Sequence, residues 1–216
     1  MQHVRGEACP SYSQRCLEWI SRSPARCARF AAEPSCPGAR EPHDFCIDRY
    51  EYPNQAGALP QVMVSFIEAR ASCEALGKRL CTSREWTFAC EGEAGLPYPY
   101  GLERDAEACN IDRPHRAPDF QQFARGDAAA EAARLDQRVP SGSRARCLSP
   151  FGVSDLTGNV DEWVVNESGK PFVSGLKGGY WGKIRARCRP MTTAHGPEFR
   201  FYQIGFRCCA DPAPAP

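Results

Sequence analysis

Thirteen cysteines in 216 residues, at positions 9, 16, 27, 36, 46, 73, 81, 90, 109, 147, 188, 208 and 209, constrain this chain more than anything else in it. No two have the C-x-x-C spacing, and the four histidines (3, 43, 115, 195) form no ligand pair with each other or with a cysteine. That removes zinc-ribbon and thioredoxin-like readings. Thiols at this density are a hazard in a reducing cytosol and act as staples in an oxidising compartment, so the expected location is extracytoplasmic, secreted or periplasmic. An odd count leaves at least one thiol free or paired between chains. Adjacent Cys208 and Cys209 are expected to find separate partners.

The remaining composition narrows the class. Eighteen Gly and nineteen Pro favour a loop-rich domain over a helix bundle. With 27 basic against 26 acidic side chains, the electrostatic footprint of a nucleic-acid binder is missing. No apolar run approaches the roughly 18 residues of a transmembrane segment. Residues 1–30 contain no apolar stretch of leader length, so the chain reads as a mature segment behind a removed signal.

Along the chain, residues 1–44 read as a Cys-rich irregular N-terminal extension in which only Cys16–Ile20 has helical character. FCIDRYEY (45–52) alternates like a strand and runs into the Pro53-Asn54 turn. Ser65-Phe66-Ile67-Glu68 and Thr82-Ser83-Arg84-Glu85 are capping boxes, each starting a helix that a glycine, Gly77 or Gly92, brings to an end. The first helix would bury Phe66, Ala69, Cys73 and Leu76, the second Trp86, Ala89 and Cys90. An Arg- and Ala-rich insertion spans 112–140, with a short helix expected over Ala128–Leu135. Beyond it, Gly and Pro recur every few residues, favouring short strands and ordered loops, and residues 210–216 read as a disordered tail.

Seven stretches, in this order, resemble the formylglycine-generating enzyme family, or sulfatase-modifying factor domain. They are FCIDRYEYPN (45–54), VSFIEARASCEALGKRLCTSREWTFACEG (64–92), PYG (99–101), CNID (109–112), SPFGVSDLTGNVDEW (149–163), GLKGGYW (175–181) and YQIGFRC (202–208). The resemblance covers residues 45–209. It implies an α+β, formylglycine-generating-enzyme-like variant of the C-type lectin fold, disulfide-rich and low in regular structure, with two helices and a twisted antiparallel sheet. It also implies disulfides joining Cys73 to Cys208 and Cys90 to Cys188.

The same resemblance implies a structural calcium ion at DLTGNVDE, with ligands from Asp155, Gly158, Val160 and Glu162. Calcium takes six to eight hard oxygens, main-chain carbonyls included, although such a loop can also be an ordinary turn. A second family calcium site would begin at Asn110 and Ile111, with Asp119 and Asp127 as further candidates. The family's oxidase activity uses copper held by two cysteines after the GG-aromatic motif. Here GGYWGKIRARC (178–188) holds no cysteine before Cys188, and Lys183 occupies the position five residues earlier. An ammonium donates and is no soft ligand, so no copper is expected at the usual site and formylglycine generation is not expected.

The cleft near 181–205 is then the place for a peptide or small-molecule ligand. Its candidates are Trp181, Glu198, Arg200 and Tyr202, against the plainer reading of Trp181 and Trp163 as core. His195, with Arg185 or Arg187, is the candidate for acid/base catalysis in the alternative reading, a superfamily enzyme with non-heme iron, other metal or acid/base chemistry. A weaker alternative places a thiol centre at an unassigned cysteine such as Cys209. The arginines at 185, 187, 189 and 200 could clamp an anion or serve as a solvated, internally paired face. Asp161 stands where the family usually has an aromatic residue. Asn166-Glu167-Ser168 meets the glycosylation pattern, which matters only in a eukaryotic source.

Overall fold

A computed structural model describes residues 1–32, 34–124 and 127–212. Two four-stranded sheets and a separate hairpin carry the chain, with four helices among the described residues. The first sheet has the order β1 (Gln2–Ala8), β4 (Glu41–Ile47), β10 (Cys208–Ala210), β5 (Arg79–Leu80). The second runs β8 (Met191–Thr192), β7 (Ser174–Lys177), β6 (Asp161–Val165), β9 (Ile204–Phe206). β2 (Cys16–Arg22) and β3 (Ala25–Phe30) form the hairpin.

The two long helices start where their capping boxes stand. Ser65 and Thr82 accept from the backbone N–H of Glu68 and Glu85, whose carboxylates accept in return, and α1 (Phe66–Glu74) and α2 (Ser83–Glu91) follow. α1 buries Phe66, Ala69 and Cys73 but leaves Leu76, which lies beyond its last turn, exposed. Phe66 meets Trp163 edge-on at 6.1 Å, and Trp86 of α2 is fully buried beside Phe45, Ile47 and Val164. The two helices thus pack into separate hydrophobic clusters, α1 with Trp163, Ile204 and Phe206 and α2 with Phe45, Ile47 and Val164.

Six disulfides tie this framework: Cys9–Cys36, Cys16–Cys27, Cys73–Cys208, Cys81–Cys209, Cys90–Cys188 and Cys109–Cys147. Cys208 and Cys209 point to opposite sides of β10, as neighbours on a strand must, and so reach α1 and the residue after β5 separately. Cys46 remains a free thiol.

The structure corrects several expectations. Residues 1–44 are largely strands, not irregular: β1 pairs with β4 along its whole length, from Gln2–Ile47 to Ala8–Glu41. Cys16–Ile20 is extended, because the Cys16–Cys27 bridge and pairing with β3 close a bulged hairpin before an uncapped helix could form. The strand expected over 45–52 is displaced to 41–47. It stops because Asp48, buried, takes hydrogen bonds from Lys78 Nζ at 2.7 Å and Asn54 Nδ2 at 3.0 Å, turning the chain. The sheets are not wholly antiparallel, since β6 and β9 run parallel. The tail begins later than 210: Ala210 pairs with Cys46 and Asp211 accepts from Arg79 at 2.7 Å, while residues 213–216 lie outside the described ones. The insertion adds two helices, α3 (Phe120–Ala124) and α4 (Ala128–Leu135), beyond the family's two.

Candidate functional site

Beside the second sheet lies a cleft of about 850 Å³. β6, β7, β8 and β9 contribute Asp161, Leu176, Thr192 and Ile204 to it. The loop after GGYW adds Tyr180, Ile184 and Arg185, and the loop before β9 adds His195, Phe199, Arg200 and Phe201. The insertion forms the remaining wall with Phe120, Phe123 and Ala128, and Pro24 reaches in from the β2–β3 hairpin. Phe120 is 69% exposed yet lies parallel to Phe201 at 6.1 Å. Together with Phe123, Phe199 and Phe201 it makes this side of the cleft aromatic.

The sequence candidates divide at this cleft. Arg185, His195 and Arg200 line it. Trp181 and Tyr202 do not: both are buried in a cluster with Leu135 and Val160, where Trp181 packs on Tyr202 at 5.8 Å. Glu198 is solvent-exposed and outside the lining, and Arg187 lies elsewhere, its guanidinium 5.2 Å from the Phe30 ring centre. His195 stacks on Phe199 at 3.9 Å, and desolvation holds its pKa below the ordinary imidazole value. Among the described residues no carboxylate lies within ion-pair distance of His195, so the acid–base pair with Glu198 does not form.

Of the ladder arginines, Arg189 is spent inside the fold and Arg200 in a half-exposed surface pair. Arg189 grips Glu91 through two hydrogen bonds at 2.6 and 2.7 Å, and Arg200 pairs with Glu68 at 3.1 Å. In the insertion, Arg134 binds Glu131 and Arg138 binds Asp136, both at 2.6 Å, while Arg125 falls outside the described residues. Asn166 is buried and donates to the carbonyls of Lys170 and Phe172, so the glycosylation pattern is folded inward.

Asp161 and the aromatic wall are the residues that sequence reading did not assign to the cleft. Asp161 was visible as a departure from the family pattern. Phe120 and Phe123, three apart in an otherwise polar stretch, carried the signal of a one-faced helix. Burial pushes Asp161 up to about 7, against the opposing pull of Arg185 and a Gly179 N–H.

The 155–162 loop sits on the other side of β6. Asp155, Gly158 and Asn159 all adopt left-handed backbone conformations, and a Cβ at Gly158 would meet the Asn110 carbonyl oxygen at 2.4 Å. Glu51, Asp155 and Glu162 are all buried, with Arg207 as the buried guanidinium among them. Arg207 holds both Glu162 oxygens at 2.6 Å, and Trp86 Nε1 adds a hydrogen bond at 2.8 Å. Burial and the neighbouring Asp155 charge push Glu51 up to about 8, and burial pushes Asp155 to about 6.

One Asp155 oxygen accepts from Gly142 N–H at 2.7 Å, whereas Oδ1 is buried with no hydrogen-bond partner. An orphaned buried carboxylate oxygen beside an excess of negative charge fits a cation. Among the described residues no three His, Cys, Asp or Glu side chains converge on one point, so such an ion would depend on main-chain oxygens. Asn110 and Ile111 do not fit a second ion. The Asn110 Oδ1 accepts from Arg113 Nε at 2.9 Å, a guanidinium where the cation would sit. Asp119 and Asp127 lie apart from them, on a shallow surface beside Glu131.

Thiol chemistry has no place in the cleft. Cys209 is buried in its bridge to Cys81, which overturns the reading of a thiol centre there, and the free Cys46 lies on β4 in the other sheet.

The two capped helices, the paired sheets and the Cys73–Cys208 and Cys90–Cys188 bridges are those expected of a sulfatase-modifying-factor type of domain. Residues 28–212 match the family model described as sulfatase-modifying factor enzyme 1-like domain, and the chain belongs to that family. It is 32% identical over 166 residues to the Bos taurus protein named inactive C-alpha-formylglycine-generating enzyme 2, covering 70% of this chain and 50% of that one. To the Mus musculus formylglycine-generating enzyme it is 28% identical over 182 residues, covering 72% of this chain and 45% of the other. The chain therefore spans about half the length of the curated relatives it matches. Among solved structures it shares its fold with CarF, at TM-score 0.62, 16% identity and coverage of 97% and 99% of the two chains. PvdO from Pseudomonas aeruginosa follows at 0.58 and 18%, covering 96% and 92%. Six disulfides are the mark of an oxidising compartment, and no helix among the described residues is long and apolar enough to cross a membrane.

Proposed function

We propose that this domain works outside the cytoplasm, secreted or periplasmic, as a binding module that takes a peptide or small ligand in the Phe120–Arg185–Phe201 cleft, without formylglycine-generating activity. The observation that carries this reading is the cleft itself: about 850 Å³, walled by phenylalanines, with no cysteine before the bridged Cys188 in GGYWGKIRARC and none in the lining. Apolar walls with a few convergent polar groups are what a ligand pocket offers. The relatives named inactive are consistent with it. For the acid/base alternative, His195 and Arg185 share the cleft, whereas Arg187 lies elsewhere and, among the described residues, no carboxylate is within ion-pair distance of His195.

A structural calcium ion belongs to the proposal. Asp155 Oδ1 and the carbonyls of Gly158 and Val160 would hold it, with Glu162 contributing only what Arg207 leaves free. The ion would supply charge balance for the buried carboxylates.

A fragment screen followed by NMR or crystallography tests the cleft. Hits should cluster there and weaken in Phe120→Ala, whose side chain is exposed and whose loss leaves the core intact. Hits elsewhere only, or copper-dependent aldehyde formation on a cysteine peptide, would overturn the reading.

A further inference from the structure

The cleft holds two opposite charges that do not pair with each other. Asp161, the first residue of β6, and Arg185, in the loop after Tyr180, both line it. Among the described residues neither takes part in an ion pair within 4.0 Å. Arg185 spends one Nη2 hydrogen bond on Thr192 Oγ1. The other cleft cation, Arg200, is already committed to Glu68 at 3.1 Å.

Charges in an apolar enclosure are costly unless compensated. A purely anionic ligand would answer Arg185 but meet Asp161 with repulsion, and a purely cationic one would meet Arg185. With Asp161 ionised, a ligand carrying both signs answers both groups at once. The phenylalanine walls and a volume of about 850 Å³ leave room for an apolar body beyond the charged end.

We infer that the cleft selects a zwitterionic, amino-acid-type ligand, its ammonium on Asp161, its carboxylate on Arg185 and its apolar side chain against Phe120, Phe123 and Phe201. This rests on the binding-module reading. Asp161 is then a specificity-determining residue, and its carboxylate is what distinguishes this cleft from one with an aromatic side chain at the same position.

The test uses three probes of one shape: L-phenylalanine, 2-phenylethylamine and 3-phenylpropionate, titrated calorimetrically into the oxidised full chain. L-phenylalanine should bind about tenfold or more tightly than either single-charge analogue, the scale of one charge-assisted hydrogen bond. Asp161→Asn should bring L-phenylalanine down to the level of 3-phenylpropionate, and Arg185→Gln should bring it to that of 2-phenylethylamine. Circular dichroism verifies that both variants are folded. Equal binding of L-phenylalanine and 3-phenylpropionate by the unmodified chain, or undiminished L-phenylalanine binding in Asp161→Asn, overturns the inference. Absence of binding by all three probes also overturns it, while the cleft reading is judged separately by whether the fragment hits respond to Phe120→Ala.

Discussion

Arg207 grips Glu162 through two hydrogen bonds of 2.6 Å each, with both side chains essentially excluded from solvent. Its remaining donors reach the carbonyls of Asp48, Arg49 and Ser154, so every part of this guanidinium is used. Glu162 is also the cross-strand partner of Lys177 and the first-sheet-facing neighbour of Trp86. The pair therefore joins β6, the link between β9 and β10, and the loop after β4 in one polar knot.

Removing one partner of such a pair strands a buried charge. Arg207→Met should cost about 3–5 kcal/mol in chemical denaturation in chelator, and less in calcium buffer, where the ion balances the freed Glu162 charge. A loss below about 1 kcal/mol would show that the knot is not structurally important.

Asp155 makes the opposite prediction. Its Oδ1 has no protein partner, so Asp155→Asn should change little in chelator. In calcium buffer the unmodified chain should gain stability as the ion binds, about 2.7 kcal/mol at a hundredfold excess over Kd, and the variant should not. Melting curves in the two buffers measure this, and equal shifts for both proteins count against the ion.

Loop length ranks the disulfides. The Cys73–Cys208 bridge closes 135 residues and Cys16–Cys27 only 11. In the chain-entropy model these correspond to about 5 and about 3 kcal/mol, so the double Ser variant of the long bridge should unfold at the lower denaturant concentration. Unfolded without reductant, the chain should titrate one thiol, Cys46. More than one would mean that a bridge is missing.

Lys177 gives a pH signature. Its ammonium is buried with hydrogen bonds to Thr87 and the Arg189 carbonyl, and burial pushes its pKa down to about 7. Between that value and the ordinary 10.5 the unfolded chain carries a proton that the folded one lacks, so this group raises stability as pH rises. Glu51 acts in the opposite sense, but only up to about 8. From pH 8 to 10 the unmodified chain should therefore gain on Lys177→Met, by at most about 1.4 kcal/mol per pH unit. Parallel profiles would contradict the assignment.

What the sequence made legible was local or motif-borne. The capping boxes at Ser65 and Thr82, the Ala128–Leu135 helix and the separate fates of Cys208 and Cys209 rest on signals within a few residues. β1 escaped notice because its partner, β4, lies some forty residues away, and its register is set by that pairing. Cys16–Ile20 differs from the helical expectation because five residues without a cap carry too little periodicity to separate helix from bulged strand. Trp181 and Tyr202, expected in the cleft, are drawn into the core by Leu135 of the insertion helix. That same insertion places Phe120 and Phe123 on the cleft wall, a tertiary consequence that no local pattern encodes.

The proposed binding module is a disulfide-tied family domain that would hold calcium and no copper. Elemental analysis of protein purified from an oxidising compartment without added metal tests this most directly. We expect about one calcium per chain and copper far below stoichiometry. Stoichiometric copper or iron would mean that ligands outside the family's usual positions have built a redox centre, and the binding-module account would be wrong.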